Sequence, residues 1–86
     1  MRYNFITNNY TDAVSYQREI RMKIKNDGYA TCRDFFKITG QYDPYGKGNF
    51  TDPQYNFYGW ETLHGFDITK TEDGRWCLTT PEIKEI

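Results

Sequence analysis

The stretch Gly28-Tyr29-Ala30-Thr31-Cys32-Arg33-Asp34-Phe35-Phe36-Lys37-Ile38-Thr39-Gly40 constrains the fold of this 86-residue chain more tightly than any other. Gly28, after Asn26-Asp27, is the residue type that a left-handed helix stop favours. Three residues later the Thr31 hydroxyl is placed to accept from the Asp34 backbone N–H while Asp34 reaches back, a carboxylate variant of the capping box. Gly40 supplies a second stop. A short helix over 31–39 is therefore expected to start almost where another ends, after a sharp turn at Tyr29-Ala30 with room for a strand of one or two residues. Its buried side is Cys32, Phe35, Phe36 and Ile38.

Upstream, Ala13, Tyr16, Gln17, Ile20 and Ile24 recur at three- and four-residue spacing and form one apolar stripe on a helix over 11–27, with Asn9, Thr11 or Asp12 as cap. Arg18, Arg21 and Lys25 fall on the opposite side. Residues 2–7 alternate as a short strand would. Near the C-terminus, Phe66 and Ile68 and then Trp76 and Leu78 alternate with polar neighbours around Glu72-Asp73-Gly74, which predicts a hairpin over 66–80. Pro81 ends its second strand and leaves 81–86 as a tail. Asp52-Pro53 is a helix-start signal, so a third helix over 53–63 is expected.

These elements predict one α+β domain over 1–86. Its connectivity is that of a reduced winged helix: two or three helices and then a C-terminal hairpin. The alternative packs the 1–7 strand beside the hairpin as a three-stranded antiparallel sheet with the helices on one face. The expected core is Tyr16, Ile20, Ile24, Phe35, Ile38, Trp60, Phe66, Ile68, Trp76 and Leu78, with Phe57 beside Trp60. Only 37% of residues are hydrophobic, but 19% are aromatic, which brings large buried area per residue.

Three elements, Gly28-Tyr29-Ala30-Thr31-Cys32-Arg33-Asp34-Phe35, then Tyr58-Gly59-Trp60-Glu61-Thr62-Leu63, then Gly74-Arg75-Trp76-Cys77-Leu78-Thr79-Thr80-Pro81, occur in the order G-Y-x-T-x-x-D-F/Y, Y-G-W-x-x-L and G-Y-x-L-x-x-P. In this the chain resembles small phage-encoded proteins of unassigned activity, over about residues 20–86. It departs from them in Trp76, where they carry Tyr, and in an aromatic insert at 42–57. The resemblance implies phage or prophage origin and brings no catalytic residues.

The side chains argue against catalysis. His64 stands alone, Cys32 and Cys77 form no C-x-x-C pair, and Gly46-Lys47-Gly48 lacks the strand and helix that a phosphate cradle needs. No cofactor and no metal site is expected, since one histidine and two scattered cysteines match no zinc spacing. No apolar run approaches the ~20 residues of a membrane span and no signal-peptide pattern is present, so a cytoplasmic location with reduced thiols is expected.

Binding is what remains. Seven aromatics lie between Tyr42 and Trp60 among Gly and Asp residues. Tyr and Trp anchor interfaces because they bring rigid area at little entropic cost. Tyr42, Tyr45, Phe50 and Tyr55 are the candidate contacts for a host or phage protein, with inhibition of a host defence system as the specific expectation. The alternative is DNA or RNA binding. The net charge of −1 divides into +3 over residues 1–37 and −4 over 38–86. Arg18, Arg21, Lys25, Arg33 and Lys37, with Lys70 and Arg75 on the hairpin, are the candidate phosphate contacts.

Overall fold

The computed structural model describes residues 2–40 and 57–86. In chain order the elements are β1 (Asn4–Thr7), α1 (Tyr10–Asp27), β2 (Ala30–Thr31), α2 (Cys32–Thr39), β3 (Tyr58–Trp60), β4 (Asp67–Lys70), β5 (Trp76–Thr79) and β6 (Lys84–Glu85). The protein is thus a small α+β fold with two helices and two three-stranded antiparallel sheets among the described residues.

Both helices end where local chemistry says they should. Asn9 caps α1 by accepting from the Thr11 N–H at 2.9 Å. At the other end Gly28 (φ 86°) donates its N–H to the Ile24 carbonyl. In α2 the Thr31 hydroxyl accepts from the Asp34 N–H at 3.1 Å and the Asp34 carboxylate accepts from the Thr31 N–H at 3.0 Å. Gly40 (φ 70°) closes that helix.

The first sheet has the order β1-β5-β4, so the N-terminal strand flanks the hairpin, as the three-stranded alternative requires. Phe5, Leu78 and Ile68 lie in register across it and face α1. The hairpin turn is a three-residue loop: Gly74 N–H donates to the Thr71 carbonyl at 3.1 Å and Thr71 N–H to the Arg75 carbonyl at 2.8 Å. The second sheet, β2-β3-β6, draws on three distant parts of the chain, with Ala30 opposite Trp60 and Gly59 opposite Lys84.

Aromatic rings fill the interior between the sheets and helices. Phe35 and Phe36 are buried together with Ile20, Ile24, Cys32, Trp60, Phe66 and Leu78, and Tyr16, Ile38 and Ile68 pack against them half-buried. Tyr3 stacks on Phe35 with ring centroids 6.0 Å apart, Phe35 meets Trp60 edge-on at 5.7 Å, and Trp60 meets Phe66 at 5.5 Å. Edge and offset contacts of this kind add to the area that the rings bury.

Four expectations need correction. Tyr58–Trp60 is a strand and not part of a helix over 53–63, because the backbone groups of 58–60 are taken by β2 and β6; residues 53–56 lie outside the described residues. Phe57 is 57% exposed. It stands just before β3, and its ring lies outside the core that Trp60 joins. The segment after Pro81 is not a tail, since Lys84–Glu85 forms β6 and Ile86 N–H donates to the Phe57 carbonyl at 2.8 Å. Trp76 is only half-buried, because it closes the end of the first sheet against Tyr10, itself 51% exposed, at a centroid distance of 4.6 Å.

Candidate functional site

Parts of the three sequence elements quoted above meet at one junction, where several polar groups hold the fold. Trp60 Nε1–H donates to the Pro81 carbonyl at 2.9 Å, the Thr80 hydroxyl donates to the same carbonyl at 3.0 Å, and the Thr80 oxygen accepts from the Tyr3 N–H at 3.0 Å. Gly59 lies so near β2 that a Cβ on it would stand 2.0 Å from the Ala30 carbonyl oxygen. Gly28, Thr31 and Asp34 are helix caps. These residues of the three sequence elements therefore serve the fold.

A different surface has uncommitted chemistry. Val14, Gln17, Arg18, Arg21, Met22 and Lys25 of α1, with Leu63 from the segment after β3, line an open groove of about 450 Å³. Gln17 fixes its far wall, donating from Nε2 to the Phe66 carbonyl at 2.6 Å and so holding the 61–66 segment against the helix. Arg18, Arg21 and Lys25 are exposed, and Met22 is 53% exposed. Among the described residues no carboxylate lines the groove. Elsewhere on α1, Lys23 is paired with Asp27, which raises the lysine pKa.

The seven basic candidates divide. Arg18, Arg21 and Lys25 share the groove. Arg33 is half-buried and Lys37 is exposed in the last turn of α2. Lys70 Nζ sits 5.9 Å from the centroid of the Trp76 ring. Arg75 Nε is bound by Asp73 at 2.8 Å, and that carboxyl is held below its usual range chiefly by the Thr71 hydroxyl and then by Arg75. A single phosphate-binding stripe of all seven is not formed. Tyr42, Tyr45, Phe50 and Tyr55 lie outside the described residues. The helical periodicity that singled out the cations also places Val14 and Met22 beside them, whereas Gln17, read from the sequence as part of the core stripe, lies at its edge and lines the groove; Leu63 carries no local signal, because it is placed by packing against the core and by the neighbouring Gln17 hydrogen bond.

Of the two thiols, Cys32 is buried to 1% exposure, and burial pushes it up to about 11, so it stays protonated near neutrality. Cys77 is half-buried and lies 3.6 Å from the Thr79 hydroxyl. Among the described residues no cluster of three His, Cys, Asp or Glu side chains is placed to hold a metal ion. No described helix is long and apolar enough to cross a membrane. Comparison with protein-family models, with curated proteins and with solved structures finds no match for this chain.

Proposed function

We propose that the chain is a non-catalytic phage or prophage accessory protein that works in the host cytoplasm by binding another protein, in its most specific form as an inhibitor of a host defence system. The observation that carries binding is the groove along α1. Arg18 and Arg21 stand three residues apart and Arg21 and Lys25 four apart on one exposed face. Like charges at those spacings destabilise a helix. A fold that keeps them beside exposed Met22, with no carboxylate to relieve them, maintains a surface whose value lies outside its own stability. The protonated, buried Cys32 supports a role without nucleophilic chemistry. Phage origin rests on the three-element resemblance.

The runner-up is a winged-helix-like DNA- or RNA-binding protein, favoured by the same three cations. Affinity capture from nuclease-treated host lysate separates the two. For the protein-binding reading, a specific protein is retained by the parent, lost with Arg18→Glu plus Arg21→Glu, and eluted only a few-fold more readily at 200 mM salt than at 50 mM. Recovery of nucleic acid alone, with affinity falling about 20- to 40-fold over that salt range as three phosphate contacts require, reverses the conclusion. A parallel variant, Tyr45→Ala with Phe50→Ala, reports whether the aromatic segment contributes to the same interface.

A further inference from the structure

From the shape and charge of the α1 groove we infer that its occupant is an acidic amphipathic helix of the partner protein. The inference rests on the protein-binding reading and specifies the chemistry of that same surface.

Three features select this ligand. The first is spacing. Arg18, Arg21 and Lys25 recur at three- and four-residue intervals and so form a row about 10 Å long, parallel to the axis of α1. A second helix laid alongside presents carboxylates at i, i+3 or i+4, and i+7 with the same spacing, so the charges match without distortion of either chain. The second is length. The lining runs from Val14 to Lys25, about 16 Å of helix, which seats three turns of a partner. The third is the apolar part of the wall. Val14, Met22 and Leu63 are interleaved with the cations. A phosphate backbone has no group to place on them, whereas the apolar stripe of an amphipathic helix does. Met22 is unbranched and adapts to the shape of such a stripe.

The occupant's charge follows from the lining. With three cations and, among the described residues, no carboxylate, the groove repels a basic helix and gains nothing electrostatic from a neutral one. The wall is also pre-formed. The hydrogen bond from Gln17 to the Phe66 carbonyl and the packing of Leu63 against the core fix this part of the lining before any ligand arrives, which reduces the ordering cost of binding.

The test uses the full chain labelled with ¹⁵N and four probes: an 18-residue acetylated and amidated peptide with leucines at helical spacing flanked by glutamates, the same composition scrambled, a version with lysine for every glutamate, and a twelve-nucleotide oligothymidylate. The amphipathic acidic peptide is expected to shift the amides of Val14, Gln17, Arg18, Arg21, Met22, Lys25 and Leu63. It should bind about tenfold or more tightly than its scrambled and lysine counterparts. Arg18→Glu with Arg21→Glu should abolish the response and Met22→Ser weaken it several-fold, with the dispersion of the remaining amide signals confirming that both variants are folded. Equal responses to the ordered and scrambled acidic peptides, or shifts mapping to another surface, overturn the proposal. So does a response at these amides to the oligothymidylate alone, which also counts against protein binding. Silence to every peptide, combined with lysate capture of a protein that ignores the charge reversal, overturns the groove's assignment while leaving protein binding intact.

Discussion

The junction of β2, β3 and Pro81 and the outer face of α1 use their residues in opposite ways. At the junction, Tyr3, Gly59, Trp60 and Thr80 are fixed by backbone contact or hydrogen bonds, and the indole, the Pro81 carbonyl and the Thr80 hydroxyl are all satisfied. On α1, Arg18, Arg21 and Lys25 face solvent together in a groove. Buried polar groups must be paired to be tolerated, and these four residues are committed to the fold, although exposed Glu61, Glu82 and Lys84 beside them line an open cavity of about 540 Å³. The difference teaches that residues of the three sequence elements maintain the shape of the chain, whereas the exposed cations of α1 add nothing to it that the structure shows.

The sharpest test of the contrast compares the two tryptophans. Trp60 is 2% exposed, touches Phe35 and Phe66 and loses a buried hydrogen bond on truncation. Trp60→Ala should cost about 3–5 kcal/mol, enough to unfold so small a domain at ambient temperature. Trp76→Ala, at the open end of the first sheet, should cost roughly half as much or less, since a half-exposed ring gives up less buried area. Thermal melts followed by far-ultraviolet circular dichroism measure both. Equal losses would mean that the junction is not the keystone of the fold.

Gly59→Ala is the next largest. The added methyl would lie 2.0 Å from the Ala30 carbonyl oxygen and 2.7 Å from the Thr31 Cα, both backbone atoms that cannot rotate away. Separating β2 from β3 to relieve that clash should cost about 3 kcal/mol, at the upper end of overpacking effects. A melting temperature within a few degrees of the parent's would show that the two strands are not held at this distance.

Cys32 gives the contrast a pH dependence. Its folded pKa is raised by burial to about 11 from an ordinary value of 9.0, so between those limits the unfolded chain binds fewer protons than the folded one. Stability is then unaffected below pH 9 and is lost as pH rises toward 11, by about 2–3 kcal/mol in all. Contributions from other groups are common to both proteins, so the quantity to measure is the difference between the parent and Cys32→Ala, which should narrow from pH 8 to pH 11. At pH 8 a disulfide-forming thiol reagent should modify half-buried Cys77 and leave Cys32 untouched until the chain is denatured.

How far the sequence reveals this molecule depends on the range of the interactions involved. Both helices were legible because their caps are decided within four residues: Asn9 with Thr11, Thr31 with Asp34, Gly28 and Gly40. The hairpin and its N-terminal neighbour were legible from alternation. Strands β3 and β6 were not, since three and two residues carry no period and both are extended only because their partners come from residues 30–31 and 84–85 or 58–59. Asp52-Pro53 offered a local helix signal that Gly59 only weakened, and the need for aromatic rings in a core with few aliphatic residues placed Phe57 inside, where the structure leaves it exposed. The alternation of the hairpin gave the correct face for Trp76 but not the point at which α1 stops covering that face. In the groove, the cations were visible on a helical wheel, whereas the wall opposite them is set by a side-chain hydrogen bond across 49 residues of sequence.

The smallest expected effect is on the stability of the very variant that should abolish binding. Arg18 and Arg21 are exposed and neither forms a salt bridge among the described residues. Reversing both to Glu leaves the 18–21 pair like-charged, as before, so that term is unchanged. At the four-residue spacing a repulsive Arg21 and Lys25 become a Glu preceding a Lys, the favourable order, worth about 0.3–0.5 kcal/mol. Both positions are far enough from the ends of an 18-residue helix to escape its dipole. The double variant should therefore melt at the parent's temperature or up to about 4 °C above it. A gain of that size together with lost binding would show that the face is kept at the expense of the helix that bears it. A marked loss of stability would instead place these arginines in the fold and erase the distinction between the two regions.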